Sequence, residues 1–251
     1  SLGEALDITA AYISSVGGTL AANGMLTITA ADAALDNTEG LLQGNEGVTV
    51  TTAGFINLSG EVVSNKDIRL LLAAGDMDNR DGLIETHGNI ELQATGQLQN
   101  AGGLFHSGSD LTFTIDAFDQ AAVGGTFTAN TRWHINAAGN IVFNSADIAL
   151  PGALDLVSQD GLIAIDRRIE AGTGIDLDAR TIRIGQNGFV ATQGAFTASA
   201  DGMDNEGLIY GKSAVDLVLG QTFNNGAERY LTDAASYRNA VVLSEGNINL
   251  S

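Results

Sequence analysis

The phrase Met77-Asp78-Asn79-Arg80-Asp81-Gly82-Leu83-Ile84 decides the fold, because it returns as Met203-Asp204-Asn205-Glu206-Gly207-Leu208-Ile209. Shorter echoes of it occupy residues 35–42 and 98–105. The apolar residue that opens each phrase recurs at a nearly constant step: Leu35 to Phe55 is 20 residues, Phe55 to Met77 is 22, Met77 to Leu98 is 21, Leu98 to Phe118 is 20, and Met203 to Phe223 is 20. Units of this period bury their apolar faces by stacking on their neighbours. The sequence therefore predicts a solenoid.

Short strands make up each unit. Runs such as Ile90-Glu91-Leu92-Gln93 alternate apolar and polar residues, so one face points inward and the other meets water. A second strand follows each opening phrase, and we expect its central residue to face the core: Ile84, Phe105, Phe127 and Ile209. Glycine, asparagine and aspartate, which tolerate the positive φ of tight corners, separate the strands.

A unit of about twenty residues is too short for a propeller blade, and the leucine-rich frame is absent. The remaining architecture is all-β: a right-handed parallel β-helix with 20–22 residues per coil and about twelve coils, since 251 residues are available. We expect one elongated domain over residues 1–251, with Trp133 in its core.

Charge and composition exclude several classes of protein. Eleven basic and 30 acidic residues give a net charge of −19, which disfavours binding to nucleic acid. The longest apolar run, residues 70–74, is too short to cross a bilayer, so we expect no membrane insertion. Cysteine is absent, which excludes disulfides and thiolate metal sites. No signal peptide precedes the pattern, and both ends fall within it; we expect a fragment of a longer chain.

The Asp-Asn steps admit two interpretations. Calcium would be held by carboxylates such as Asp36, Asp78 and Asp204, but the glycine-rich nonapeptide of calcium-binding β-rolls is missing. The alternative is corner chemistry, in which asparagines turn the chain and stack their amides from coil to coil. The asparagines concerned are Asn37, Asn79, Asn100, Asn205 and Asn225. We favour the corner and predict no metal site.

An enzyme acting on acidic polysaccharides would need clustered carboxylates beside a base or arginine. Glu85 and His106 are 21 residues apart and should be neighbours on successive coils. We expect their ladder to run through Gln43, Ser64, Glu85, His106 and Thr128. One acid and one imidazole favour a surface pair, and His87 and His134 complete no metal triad. The sequence predicts no enzymatic activity, no catalytic residue and no cofactor.

The basic residues are concentrated in one cluster, which also contains acidic residues. It has two interpretations: a solvent-exposed stripe of salt bridges, which we favour, or a site that binds an anion. It comprises Asp166, Arg167, Arg168, Glu170, Arg180 and Arg183.

The period breaks once, because Val215 to Ile248 is 33 residues. We expect residues 222–244 to leave the coil before a strand at 247–250 resumes stacking. Arg229, Tyr230, Tyr237 and Arg238 in this stretch are of types enriched at protein contacts, which makes them candidate partner contacts. The alternative role is a cover over the edge of the coil.

The repeated phrases resemble the repeats of filamentous haemagglutinins, whose units read roughly Leu-Asp-Asn-x-Gly-Gly-x-Ile. The resemblance covers about residues 25–225, but the secretion-domain signature with Asn-Pro motifs is missing, since Pro151 is the only proline. The family includes the exoproteins of bacterial two-partner secretion, both adhesins and contact-dependent growth inhibition toxins.

The resemblance implies export through a dedicated outer-membrane pore and display on the bacterial surface. The expected function is a shaft segment that presents distal binding or toxic modules, with a target-cell receptor or glycan as a further partner. Two alternatives stay open: a receptor-binding segment of such an exoprotein, and a β-helical polysaccharide lyase or hydrolase.

Overall fold

The computed structural model describes residues 4–30, 32–226 and 240–251. The chain divides into two compact units: residues 1–117 with 122–135, and residues 118–121 with 136–251. We call them the first and second units. In each of them short strands stack in parallel from coil to coil, so that each is a parallel β-helix.

The strands and the single short helix of the described residues have these bounds: β1 Leu6–Thr9, β2 Ile13–Ser14, β3 Thr19–Ala22, β4 Met25–Ala30, β5 Leu35–Asp36, β6 Leu41–Gly44, β7 Gly47–Thr52, β8 Phe55–Ile56, β9 Glu61–Ser64, β10 Ile68–Leu72, β11 Met77–Asp78, β12 Leu83–Thr86, β13 Ile90–Ala94, β14 Leu98–Gln99, β15 Leu104–Ser107, β16 Asp110–Ile115, β17 Phe118–Asp119, α1 Gln120–Val123, β18 Thr126–Ala129, β19 Arg132–Ala137, β20 Ile141–Phe143, β21 Ile148–Leu150, β22 Ala153–Ile165, β23 Arg168–Ala171, β24 Gly174–Ile184, β25 Phe189–Thr192, β26 Ala195–Asn205, β27 Leu208–Gly211, β28 Ala214–Asn225, β29 Val241–Ser244 and β30 Asn247–Leu250.

Three parallel sheets form the sides of the first unit. The longest strands stack in the order β1-β4-β7-β10-β13-β16-β19. The two-residue strands, which contain the opening residue of each phrase, stack as β2-β5-β8-β11-β14, and the third sheet runs β3-β6-β9-β12-β15-β18. The first five coils therefore each contribute one strand to every side, and the outward residues form rows across successive coils.

The second unit makes the same circuit with fewer, longer strands. Strands β22, β24, β26 and β28 bend through a corner, so each supplies two sides of its coil. The register shifts at that corner between Ser158 and Leu162 and again between Ala200 and Gly202. The remaining side is the sheet β21-β23-β25-β27-β29.

The core consists of the inward row of every strand. Ile84, Phe105 and Ile209 are fully buried and Phe127 is 7% exposed, which confirms the predicted inward positions. Trp133 is also fully buried, as expected. Its ring stacks on Phe127 with centroids 5.3 Å apart and meets Phe113 edge-on at 6.4 Å. Such pairs add to the free energy of apolar burial.

The parallel β-helix, of about ten turns, is confirmed. Among the described residues, the long strands number seven in the first unit and five in the second, β22, β24, β26, β28 and β30. A single domain over residues 1–251 stays a prediction.

The predicted excursion at 222–244 is wrong at both ends. Residues 222–225 are the last part of β28 and pair with residues 202–205, and residues 241–244 form β29 on β27. The repeat extends into these residues because Phe223 and Asn225 occupy the same positions as Met203 and Asn205. Strand β30 at 247–250 stacks on β28, as expected. Residues 227–239 lie outside the described residues.

Candidate functional site

A stack of buried asparagines marks one corner of the first unit. Asn37, Asn57, Asn79 and Asn100 are fully buried, and the Nδ2 of each of the first three donates to the Oδ1 of the next at 2.7 Å. Each Nδ2 also donates to the carbonyl of the glycine three residues later, at 3.1–3.3 Å. We call these four residues the amide ladder. The predicted stacking of amides is confirmed, and Asn57 is a member that the sequence reasoning missed.

The ladder is possible because the chain turns tightly after each asparagine. Gly82 N donates to Asn79 O at 3.1 Å across the turn, and Asp81 between them has φ of 54°. This geometry, with a positive φ at the third position only, is that of a type II turn. A Cβ on Gly82 would overlap Asn57 O of the preceding coil and lie 2.6 Å from Asn79 Oδ1. Glycine is therefore required by the close approach of neighbouring coils.

In the second unit, other residue types occupy the position that asparagine has in the amide ladder. In register, Gln120 is followed by Phe143, Ile165 and Ile184. The amide returns at Asn205, whose Nδ2 donates to Asn225 Oδ1 at 2.7 Å. The middle coils of this unit therefore turn the same corner with apolar side chains.

The aspartates that precede the corner asparagines bond within the turn or to the next coil. Asp36 Oδ1 accepts Thr38 N at 3.0 Å, and Asp204 Oδ1 accepts Asn224 Nδ2 at 2.7 Å. Asp78 forms an ion pair of 2.6 Å with Arg80, whose side-chain hydrogen bond lowers the pKa of that carboxyl. Among the described residues, no group of three or more histidine, aspartate or glutamate side chains could hold a metal ion.

Glu85 and His106 are neighbours on β12 and β15, as predicted, but Ser64 is not in their row. The row runs Gln43, Val63, Glu85, His106 and Thr128, and Ser64 pairs with Gly44 and Thr86. The prediction was one residue off because it applied a 21-residue step where the first two steps are 20 and 22. His106 Nδ1 lies 2.7 Å from Thr128 Oγ1. This row places one carboxylate beside one imidazole.

The residues of the mixed cluster bond to several separate partners. Arg168 Nη2 lies 2.7 Å from Glu170 Oε1, and its guanidinium stacks 4.7 Å from the ring centroid of Phe189. The hydrogen bond with Glu170 raises the pKa of Arg168. Arg167 Nε donates to Asn144 O at 3.1 Å, and Arg180 and Arg183 are exposed. This favours the solvated stripe over an anion site.

An open groove of about 690 Å³, which was not predicted from the sequence, lies at the bent corner of the second unit. Asp160, Arg180 and Asp201 line it on successive coils, together with Asp178. Their steps of 20 and 21 residues were a signal that could have revealed this row. The groove offers charged hydrogen-bonding groups.

A second cavity, of about 320 Å³, has a mainly apolar lining. Phe189, Leu208 and Val241 form its apolar wall, and Gln186 and Glu206 are among its polar groups. It lies where β25, β27 and β29 begin. The four candidate partner contacts, Arg229, Tyr230, Tyr237 and Arg238, lie outside the described residues and stay predictions. In the part of the chain that is described, no helix is long and apolar enough to cross a membrane.

Parallel coils stacked around an apolar core, with an asparagine turn repeated at one corner, define the class of protein as a β-solenoid. Residues 1–38 and 21–81 match the family model of the haemagglutinin repeat. The chain therefore contains a repeat region of the filamentous haemagglutinin type. No curated protein and no solved structure matches it.

Proposed function

We propose that this chain is a shaft segment of a secreted bacterial surface filament that presents distal binding or toxic modules, and so supports adhesion or contact-dependent inhibition. The observation that carries the proposal is the amide ladder, which joins successive coils in one register. Each coil only continues the register of the coils beside it, so coils can be added or removed without changing the fold. Such a repeat is suited to be a spacer.

The export route follows from the repeat family, which is typical of two-partner secretion exoproteins. The proposed partners are an outer-membrane pore during export and a receptor or glycan on the target cell afterwards. A chain without cysteine passes through a pore without reducing any covalent cross-link. Its stability on the outside then comes from stacking alone.

The experiment removes one whole coil from the chain, fused between a surface anchor and a known binding module. Deletion of residues 57–78 joins Ile56 to Asn79, which pairs in register because Phe55 lies opposite Met77. The matched control deletes half as much, residues 57–67. A shaft tolerates the first deletion, with folding and attachment kept, and loses its fold with the second. If the whole-coil deletion unfolds the chain as completely as the half-coil deletion, the spacer function is refuted.

The alternative of a receptor-binding segment is favoured by one observation, the apolar cavity walled by Phe189, Leu208 and Val241. The isolated chain would then block attachment of the filament to target cells, and Phe189→Ser would relieve that block. A shaft without receptor contacts competes in neither form.

The enzyme alternative has less support, because the repeat family is a structural, adhesin-type family. Turnover of an acidic polysaccharide that disappears in Glu85→Gln or His106→Ala would establish it.

A further inference from the structure

The groove at the bent corner of the second unit lies where successive coils turn with unequal numbers of residues. Between the paired residues that flank the corner, β22 has residues 159–161 and β28 has residues 220 and 221. Strands β24 and β26 have one residue each there, Arg180 and Asp201. Two short corners therefore lie between two longer ones, and both short corners line the groove of about 690 Å³. Its volume is within the range of about 300–1,000 Å³ that small-ligand sites occupy.

Charged side chains line the groove on three successive coils. Asp160 comes from β22, Arg180 from β24 and Asp201 from β26, and neighbouring coils are about 4.8 Å apart. Asp178 adds a third carboxylate from the outward row of β24, where it pairs with Ser199. All of these side chains are exposed. In the part of the chain that is described, Arg180 forms no ion pair with any of the three aspartates, so the charged groups stay accessible to a ligand.

The lining combines groups of opposite hydrogen-bonding character. The guanidinium of Arg180 only donates, and the ionised carboxylates beside it only accept. A hydroxyl group does both, so a ligand with several hydroxyls can accept from Arg180 and donate to a carboxylate on the next coil. Val157 and Ala179 add apolar surface against which the C–H groups of a sugar ring can pack. This combination suits a saccharide.

Charge separates a neutral saccharide from the other ligand classes. Three carboxylates and one guanidinium give the groove a net charge of −2, in a chain whose net charge is −19. An anionic glycan is therefore repelled. A cation would be repelled by Arg180, and the described residues contain no group of three or more histidine, aspartate or glutamate side chains that could hold a metal ion.

We propose that this groove binds a neutral saccharide, whose hydroxyls accept from Arg180 and donate to Asp160, Asp178 and Asp201. The proposal rests on the proposed function for the source of the saccharide, a glycan on the target cell. Binding itself does not require that the chain be a shaft.

Calorimetric titration of the whole chain with three neutral trisaccharides tests the proposal: maltotriose, cellotriose and triacetylchitotriose. We expect at least one of them to bind with a Kd of about 1 mM or below. Arg180→Gln and Asp201→Asn should each weaken that binding about tenfold or more, because each variant replaces a charged hydrogen-bonding partner. Arg183→Gln is the matched control, because this arginine is exposed on the same strand but does not line the groove, and its Kd should equal that of the wild type.

The proposal is overturned if none of the three trisaccharides binds, or if Arg180→Gln binds as tightly as the wild type. Tighter binding of trigalacturonate than of the neutral probes also contradicts it, as does calcium binding that increases in Arg180→Gln, since the groove would then be an anion or a cation site. If Asp201→Asn fails to fold, Asp178→Asn is the second variant, and the same loss of binding is expected. None of these results changes the outcome of the whole-coil deletion, so failure of this proposal is distinguishable from failure of the shaft.

Discussion

Asn79 shows how one side chain connects three coils. Its Oδ1 accepts Asn57 Nδ2 at 2.7 Å, and its own Nδ2 donates to Asn100 Oδ1 at the same distance and to Gly82 O at 3.3 Å. All of this takes place at 0% exposure, where each bond lacks competition from water. The Leu-Asp-Asn phrase therefore recurs because the amide is the side chain that can accept from one coil and donate to the next.

Replacing Asn79 by alanine should lower the free energy of unfolding by about 2–4 kcal/mol, because Asn57 Nδ2 loses its ladder acceptor and Asn100 Oδ1 its donor. Urea unfolding of the purified chain measures the loss. Asn187→Ala, the same change at an exposed residue, should fall within about 0.5 kcal/mol of the wild type. Equal losses in the two variants would show that the ladder contributes nothing specific.

Gly82→Ala should also destabilise the chain, by about 2 kcal/mol or more, because the added methyl overlaps the backbone carbonyl of Asn57 and a rigid stack cannot move aside. Gly174→Ala is the matched control, since its Cβ would find its nearest neighbour, Ala195 O, at 3.6 Å. Thermal unfolding of both variants gives the comparison. A stable Gly82→Ala variant would mean that the coils can separate at this corner.

The strands show where sequence reasoning succeeds and where it fails. Alternation identified the buried row correctly, because inward and outward residues differ in polarity in strands such as Ile90-Glu91-Leu92-Gln93. The outward rows were harder to predict, because the type of an exposed residue does not identify its neighbour on the next coil. Ser64 was assigned to the row of Glu85 and His106, whereas unequal coil lengths place Val63 there. The charged groove of the second unit was missed for a related reason, because the register shifts at its corner and interrupts the alternation there.

Ile84→Asp tests the buried row directly. Ile84 lies between Val62 and Phe105 at 0% exposure, so an aspartate there is an unpaired charge in an apolar core. We expect a loss of several kcal/mol, about 3–5, or failure to fold. Leu83→Asp, one residue earlier on the outward face of the same strand, should cost about 1 kcal/mol or less. The ratio of soluble folded protein in the two variants, followed by circular dichroism, distinguishes the faces.

The whole chain combines a repeat that the sequence predicts well with one interruption that it predicts poorly. Periodicity predicted stacking in both units, but the limits of the interruption were wrong because Thr222 to Asn225 still follow the pattern of the preceding coil. One coil earlier, the same corner is closed by only two residues, Glu206 and Gly207, between β26 and β27. The ends of β28 and β29 pair with those of β26 and β27 and could be joined equally briefly.

Replacing residues 226–240 by Glu-Gly should therefore preserve the stacking of β29 and β30. Hydrogen exchange of residues 241–250 measures it, and we expect protection equal to that of the wild type. The replacement removes Arg229, Tyr230, Tyr237 and Arg238 together, so an attachment assay on the same variant tests their proposed role in binding. Loss of protection in β29 with attachment unchanged would instead favour a cover over the edge of the coil.

The nearly constant sequence separation between paired strands affects the rate at which such a chain folds. Within each unit most partner strands are about 21 residues apart, as from Ile68 to Ile90 or from Ile175 to Phe196. Divided by 251 residues, this separation gives a relative contact order of about 0.08 for these pairings, in the range of helical bundles and well below that of sandwiches and barrels. Each added coil closes a loop of the same size, so lengthening the repeat leaves the entropic barrier for the next coil unchanged. We therefore expect this all-β chain to fold coil by coil, at a rate typical of proteins whose contacts are local, for as long as the phrase is repeated.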